Sequence, residues 1–414
     1  MLKKFFKQDD FFECLQSNPL HAYLDTFATA LVEDAYASST VRSKLRWVVE
    51  FGWWLQEEQL TAEQLSEHIV DRFLKELQRL GRLQRGQRPT TLRFVAYLQS
   101  QGVIPFTEPV CDTSPSAELE RQYERYLRTE RGLTTATVLN YRPVAHGFLI
   151  HHFGDGPLRL EELTGSDIAT YVLTHARCQG AKRAQLLVTA LRSFFRFLLR
   201  EAKIQIDLAA CVPAVADWRL SSVPKFLTDE EVRRLLDGCD RTTATGRRDY
   251  AVLVLLARLG LRAGEVVALE IDDIDWRAGE VMIRGKGFVH ERLPLLTEPG
   301  EALTAYLRRD RPASGSRRVF VRMKAPHSGF AGPSTVSTIV RRALERAGLQ
   351  PPVKGAHLLR HTLATRMLRG GATMSEIGQV LRHRSPNTTE IYAKVDLSGL
   401  RSLAPPWPDI GGGQ

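Results

Sequence analysis

The stretch richest in reactive side chains runs from Gly355 to Val395. His357 and Arg360 stand three apart, so one helical face can carry both. His383 follows, and Tyr392 lies nine residues beyond it. Such a set can hold a phosphodiester, stabilise extra charge on its oxygens and attack its phosphorus. Local signals give these groups helices to stand on. Thr373 with Glu376 reads as a capping box, and Asn387 with Glu390 reads as a second box opening the helix of Tyr392. The residues read as a site that cuts and rejoins DNA.

The chemistry sets its own requirements. A free tyrosine has a pKa of about 10, so only about one in a thousand is ionised at neutral pH. His357, His383 and the neighbouring arginines are the groups that can take the proton or stabilise the phenolate. Two other clusters invite different chemistry. His361 stands four residues after His357, the spacing of a metal pair, but no glutamate intervenes as in HExxH, and a structural, hydrogen-bonded histidine is expected. Asp272, Asp273 and Asp275 have the composition of a metal-dependent nuclease site, but a solvated strand edge is the simpler expectation.

Composition is consistent with a polyanion partner. Over 414 residues, 57 Lys and Arg against 47 Asp and Glu leave a formal charge of +10. The hydrophobic share of 43% with 25% charged residues excludes a disordered chain, and no long uncharged apolar stretch exists to span a membrane. Five scattered cysteines, none in a CxxC pair, give neither a zinc knuckle nor a disulfide framework. The acidic pair Asp9-Asp10 breaks the first apolar run, so no signal peptide is expected there. The expected compartment is the cytoplasm, at the bacterial nucleoid.

The elements that must position the site come in blocks. Up to about residue 110 the pattern is helical: Ser39-Thr40 opens a helix, Thr61 with Gln64 caps another, and a third ends at Gly102. Trp47, Trp53 and Trp54 are expected in its core. Arg82, Arg85 and Arg88 fall in a loop that can lie on phosphates. After a proline-rich linker the pattern restarts about a hundred residues on. Thr137-Val138 echoes Thr40-Val41, as tandem copies of one small helical domain would. In this second copy Arg142, Lys182, Arg183 and Arg192 are candidates for tracking a DNA backbone. Beyond residue 222, Thr228 with Glu231 caps a helix, and EVMIR, a GKG turn and ERLPL form a hairpin after a short strand. The expected domains are 1–110, 116–213 and 222–400, with a tail over 401–414.

LGLRAGEVVAL, the GKG hairpin, HLLRHTLAT, and LRH followed by TTEIY resemble, in order, the signature blocks of the tyrosine recombinases, the phage integrase family. The resemblance implies a mainly α fold with a small antiparallel β-sheet: tandem small helical (SAM-like) domains followed by the tyrosine-recombinase catalytic domain. It also implies Arg262 and Arg360 as paired arginines on the scissile phosphate, Lys286 as the hairpin lysine and proton donor, and His357 and His383 as the site histidines. Tyr392 becomes the nucleophile of a 3′-phosphotyrosyl intermediate. No cofactor and no metal are implied, because the phosphotyrosyl link conserves the bond energy needed for rejoining. The implied partner is double-stranded DNA, bound by a homo-tetramer on two recombination sites or by a mixed tetramer with related recombinases.

One position departs from the pattern: Arg382 stands where the family usually has glycine before the second histidine. The alternatives are a type IB topoisomerase and a non-catalytic DNA-binding protein of the same fold. The leucines of the tail, Leu397, Leu400 and Leu403, suit docking on a neighbouring protomer or on their own domain.

Overall fold

The computed structural model describes residues 1–6, 15–105, 112–154, 156–215, 223–285, 290–383, 385–395 and 401. The chain divides into two compact units: Thr107–Ser221, and Met1–Phe106 together with Ser222–Gln414.

Among the described residues the N-terminal segment forms the helices α1 (His21–Glu33), α2 (Ser38–Glu57), α3 (Glu67–Arg79) and α4 (Gln87–Ser100). Apolar residues at helical spacing, such as Val41, Leu45 and Val48 on α2, are buried with Phe27, Phe73 and Phe94 in one core. Phe27 and Phe94 meet edge to face at 5.0 Å. The Thr61–Gln64 box closes a 3₁₀ turn, Ala62–Gln64, instead of opening α3. Leu65 is extended, and Ser66 starts the helix by accepting from the Ile69 N–H. Trp53 and Trp54 pack on the core as expected, whereas Trp47 does not; it lines a surface cleft.

The Thr107–Ser221 unit repeats this succession with α5 (Pro115–Arg125), α6 (Thr135–Phe153), α7 (Gly165–Arg177) and α8 (Ala181–Arg200) around its own core of Tyr123, Phe148, Phe194 and Phe197. The correspondence extends to details. A 3₁₀ turn precedes the third helix in each set, and a glycine, Gly86 or Gly180, is the N-cap of the fourth.

The C-terminal segment is helical around a three-stranded antiparallel sheet. Its elements are α9 (Asp229–Asp237), α10 (Ala244–Arg258), α11 (Ala263–Ala268), β1 (Ile274–Asp275), β2 (Glu280–Arg284), β3 (His290–Pro294), α12 (Thr297–Arg309), α13 (Pro333–Arg346), α14 (Ala356–Arg369) and α15 (Met374–Val380). The strands run in the order β1-β2-β3, with Met282 facing Arg292 and Arg284 facing His290. Residues 251–256 of α10 are wholly buried, which makes that helix the centre of the core. The capping boxes of Thr228 and Thr373 form as their sequences require. Asn387 forms none. It sits inside a 3₁₀ turn, Pro386–Thr388, and Tyr392 rides on a second 3₁₀ helix, Glu390–Val395. The hairpin tip with Lys286, and the tail leucines, lie outside the described residues.

Candidate active site

The two arginines reach the site by different routes. Arg262 is the N-cap of α11; its backbone N–H and its Nη1 donate to Glu265 at 2.8 and 2.7 Å. Arg360, on α14, is only 4% exposed, and its terminal nitrogens donate to the carbonyls of Gly260 and Leu381. Gly260 is required there. Its φ is +58°, and a Cβ would fall 2.8 Å from Leu381 and 3.0 Å from Leu363. Burial first, then the charges of Arg262 and Arg382, push the Arg360 guanidinium down to about 10, which still leaves it a cation at neutral pH.

Helix α15 ends in a Schellman motif that sets the next part of the site. The Arg382 N–H bonds to Gln379 O and the His383 N–H to Gly378 O, both at 2.9 Å. Arg382 therefore occupies the left-handed position, at φ +55°, where glycine is the unstrained choice. Its guanidinium turns inward and Nη2 meets Glu265 at 2.8 Å, while its carbonyl accepts from Arg262 at 3.1 Å. Glu265 thus lies between two arginines. Burial alone would raise its carboxyl; the Arg382 charge and the Arg262 hydrogen bonds outweigh that and hold it below the ordinary carboxylate range.

Arg262, Arg382, His357 and His383 line one cleft of about 730 Å³, joined by Arg284 and Gly285 from the hairpin. Gly285 immediately precedes Lys286. The His383 ring pairs with the Thr389 hydroxyl at 2.8 Å; burial, then Arg360 and Arg262, depress it to about 4, so it is neutral at pH 7.

Tyr392 is not among the residues lining this cleft. It is 1% exposed, with its ring parallel to that of His383 at 6.4 Å. Its hydroxyl lies 2.9 Å from Nδ1 of His361. Burial, opposed by Arg360 and Arg262, pushes the phenol up to about 12. His361 is depressed to about 4 by burial, then by His357 and Arg360, so the neutral ring accepts and the tyrosine donates. His361 is hydrogen-bonded, as expected, and its partner is the tyrosine itself. The signal available in sequence was its place directly after Arg360, one helical turn from His357.

Residues 225–398 match the Phage integrase family, and residues 121–202 match its N-terminal SAM-like domain. "Putative integrase/recombinase y4rA" of Sinorhizobium fredii (strain NBRC 101917 / NGR234) is 45% identical over 392 residues, 94% of this chain and 95% of the relative. The chain belongs to the phage integrase family. A second family member, tyrosine recombinase XerD of Mycobacterium tuberculosis (strain ATCC 25618 / H37Rv), is 31% identical over 68% of this chain and 94% of its own. The crystal structure of the XerH site-specific recombinase bound to palindromic difH substrate shares the fold. It covers 75% of this chain and 93% of that one, with a TM-score of 0.56 at 19% identity.

The other candidate positions in this integrase-family chain divide clearly. Arg142 is held by Glu124 at 2.7 Å and Arg192 donates to Val212 O at 2.9 Å, so both are committed within their own unit. Lys182 and Arg183 are exposed on the first turn of α8. The aspartates do not share a strand edge. Asp273 is buried at the end of a 3₁₀ turn and binds Arg284 at 2.8 Å, Asp272 pairs with Arg317, and Asp275 caps the turn at Arg277 and Ala278.

Proposed function

We propose that this tyrosine recombinase cleaves and rejoins DNA at specific sites, using the cleft of Arg262, His357 and His383 for the scissile phosphate and Tyr392 as the attacking group. The observation that supports this most is the convergence on one cleft of a guanidinium and two imidazoles, with the tyrosine packed against His383. In the forward step the Tyr392 oxygen bonds to phosphorus, the 5′ oxygen leaves as a hydroxyl, and a 3′-phosphotyrosyl link remains. Arg262 and Arg360 offset the charge that grows on the non-bridging oxygens; each keeps N–H groups beyond those its protein partners use. On the order of 3 kcal/mol each is a fair scale for such preorganised donors. The nearest acceptor for the tyrosine proton is His361 Nδ1, at 2.9 Å. Lys286 is the proton donor to the leaving oxygen in this scheme.

The partner is duplex DNA, held by a tetramer that joins two sites and exchanges strands through a four-way junction in the cytoplasm. The N-terminal helices are a second copy of the SAM-like set, supported by the shared order of turn, cap and helix. The deciding experiment is a nicked suicide duplex. Wild-type protein should give a denaturant-resistant adduct that peptide mapping assigns to Tyr392; an adduct on any other residue, or none on any cognate site, rejects the assignment. Replacing the bridging 5′ oxygen by sulfur should restore cleavage to Lys286→Ala, because a thiolate leaves without a proton.

A further inference from the structure

A second cleft, of about 690 Å³, lies away from the tyrosine site on the N-terminal helices. Its walls include Ser43, Lys44 and Trp47 from α2, Gly86 at the N-cap of α4, Arg93 from the middle of α4, and Arg322 from the C-terminal segment. No carboxylate lines it among the described residues. Lys44 and Arg93 stand over the same Tyr36 ring, at 4.9 and 5.3 Å, and Lys44 Nζ has the Thr90 hydroxyl at 2.8 Å as its partner. Arg93 also meets Asp34, outside the lining. Burial, then the Arg93 charge, holds the Lys44 ammonium below its ordinary range, a strain that an anion in the cleft would relieve.

Ion pairing sorts the remaining arginines of these helices. Arg72, Arg79, Arg82 and Arg88 each pair with an acid: Glu58, Glu76, Glu50 and Asp71. Arg42, Arg46 and Arg85 are exposed and make no ion pair among the described residues. They adjoin the cleft residues Ser43, Trp47 and Gly86 in sequence, and no acid offsets them among the described residues. Trp47 belongs to it as well. The indole is half-buried but outside the hydrophobic core, and a Cβ on Gly86 (φ +99°) would stand 3.5 Å from its ring. An aromatic face beside three cations and several hydroxyls suits a sugar-phosphate backbone, which offers both a sugar face and charged oxygens, better than a small anion.

We propose that this cleft is a second DNA-binding site, which grips the phosphate backbone of the duplex away from the phosphodiester that is cut. The inference rests on the recombinase reading for the identity of its ligand.

The test uses the full-length protein carrying Ser39→Glu and Ser43→Glu. Both serines line the cleft, and among the described residues the only side-chain bond lost is that from Ser43 to the Ser39 carbonyl. Glutamates in the first two turns of α2 suit the helix dipole, so melting should not fall. On a duplex with about 30 flanking base pairs, affinity at about 0.1 M salt should drop roughly tenfold and the slope of log K against log salt should flatten by about one to two. Adduct formation on a short suicide duplex should stay at the wild-type rate. Arg42→Gln with Arg46→Gln and Arg85→Gln, which adds no negative charge, should flatten the slope in the same direction. Wild-type affinity and slope in either variant overturn the proposal, as does an equal loss of binding on the short duplex. A wild-type protein that binds long DNA but never forms an adduct would sink the recombinase reading and leave the cleft intact.

Discussion

The Tyr392 hydroxyl donates to Nδ1 of His361 across 2.9 Å, inside packing that leaves the tyrosine 1% exposed. The proposed nucleophile is therefore protonated, bonded and covered in the free protein. The group that accepts its hydrogen bond is His361, while the His383 ring lies parallel to the phenol at 6.4 Å.

Removing that oxygen is the first prediction. Tyr392→Phe should bind its DNA site as wild type does, form no covalent adduct, and lose only about 1 kcal/mol of stability, the worth of one hydrogen bond. Electrophoretic binding and adduct assays on the same suicide duplex decide it. An adduct formed by the phenylalanine variant would remove Tyr392 from the mechanism.

The two arginines should separate in a pair of assays. Arg360→Ala leaves the carbonyls of Gly260 and Leu381 without their donor in a buried site, at about 1–3 kcal/mol each, so it should lose stability as well as cleavage. Arg262→Ala leaves Glu265 still paired with Arg382. It should melt within about 1 kcal/mol of wild type while cleavage falls by about two to three orders of magnitude. Equal melting losses in both variants would contradict this division.

Acid should destabilise the free protein through its buried histidines. His361 and His383 are depressed to about 4 when folded, against about 6.5 in an open chain. Between those values the unfolded chain binds more protons, so the stability of the neutral rings is complete above about pH 6.5 and is lost as pH falls towards about 4. His361→Gln keeps an acceptor for Tyr392 and removes one titrating ring, so melting temperature should fall less steeply over this window. An unchanged slope would mean that His361 is not buried neutral.

Cleavage should proceed at its full rate in excess chelator, since the proposed mechanism draws the positive charge on the phosphate from guanidinium groups, and the Asp272–Asp275 carboxylates are occupied by Arg317, Arg284 and backbone N–H groups. Activity lost to chelation and restored by magnesium would require a different catalytic set.

What the sequence made legible was local. The Thr228 and Thr373 boxes follow from residues three apart, the hairpin from alternation around a glycine turn, and both took the form expected. Asn387 misled because a proline at the start of the segment and a 3₁₀ turn replaced the helix its spacing suggested. The neighbours that matter most are distant in the chain: His361 and Tyr392 are 31 residues apart, Glu265 and Arg382 are 117. No periodicity encodes such contacts. Asp273 looked solvated because nothing nearby in sequence announces that Arg284 will cover it, and Trp47 looked like core because it shares a helix with residues that are.

Arg382 has a consequence for how this lineage can change. Exchanging it for glycine would relieve about 1–2 kcal/mol of left-handed strain, but would take the Arg382 charge and donor from buried Glu265, whose Oε2 would keep only the Arg262 N–H, at about 1–3 kcal/mol. The same loop carries the carbonyls that hold Arg262 and Arg360. Positions 262, 265, 360 and 382 are thus bound to one another as an epistatic set. Substitutions there should be strongly non-additive, with glycine at 382 better tolerated once position 265 no longer carries a carboxylate.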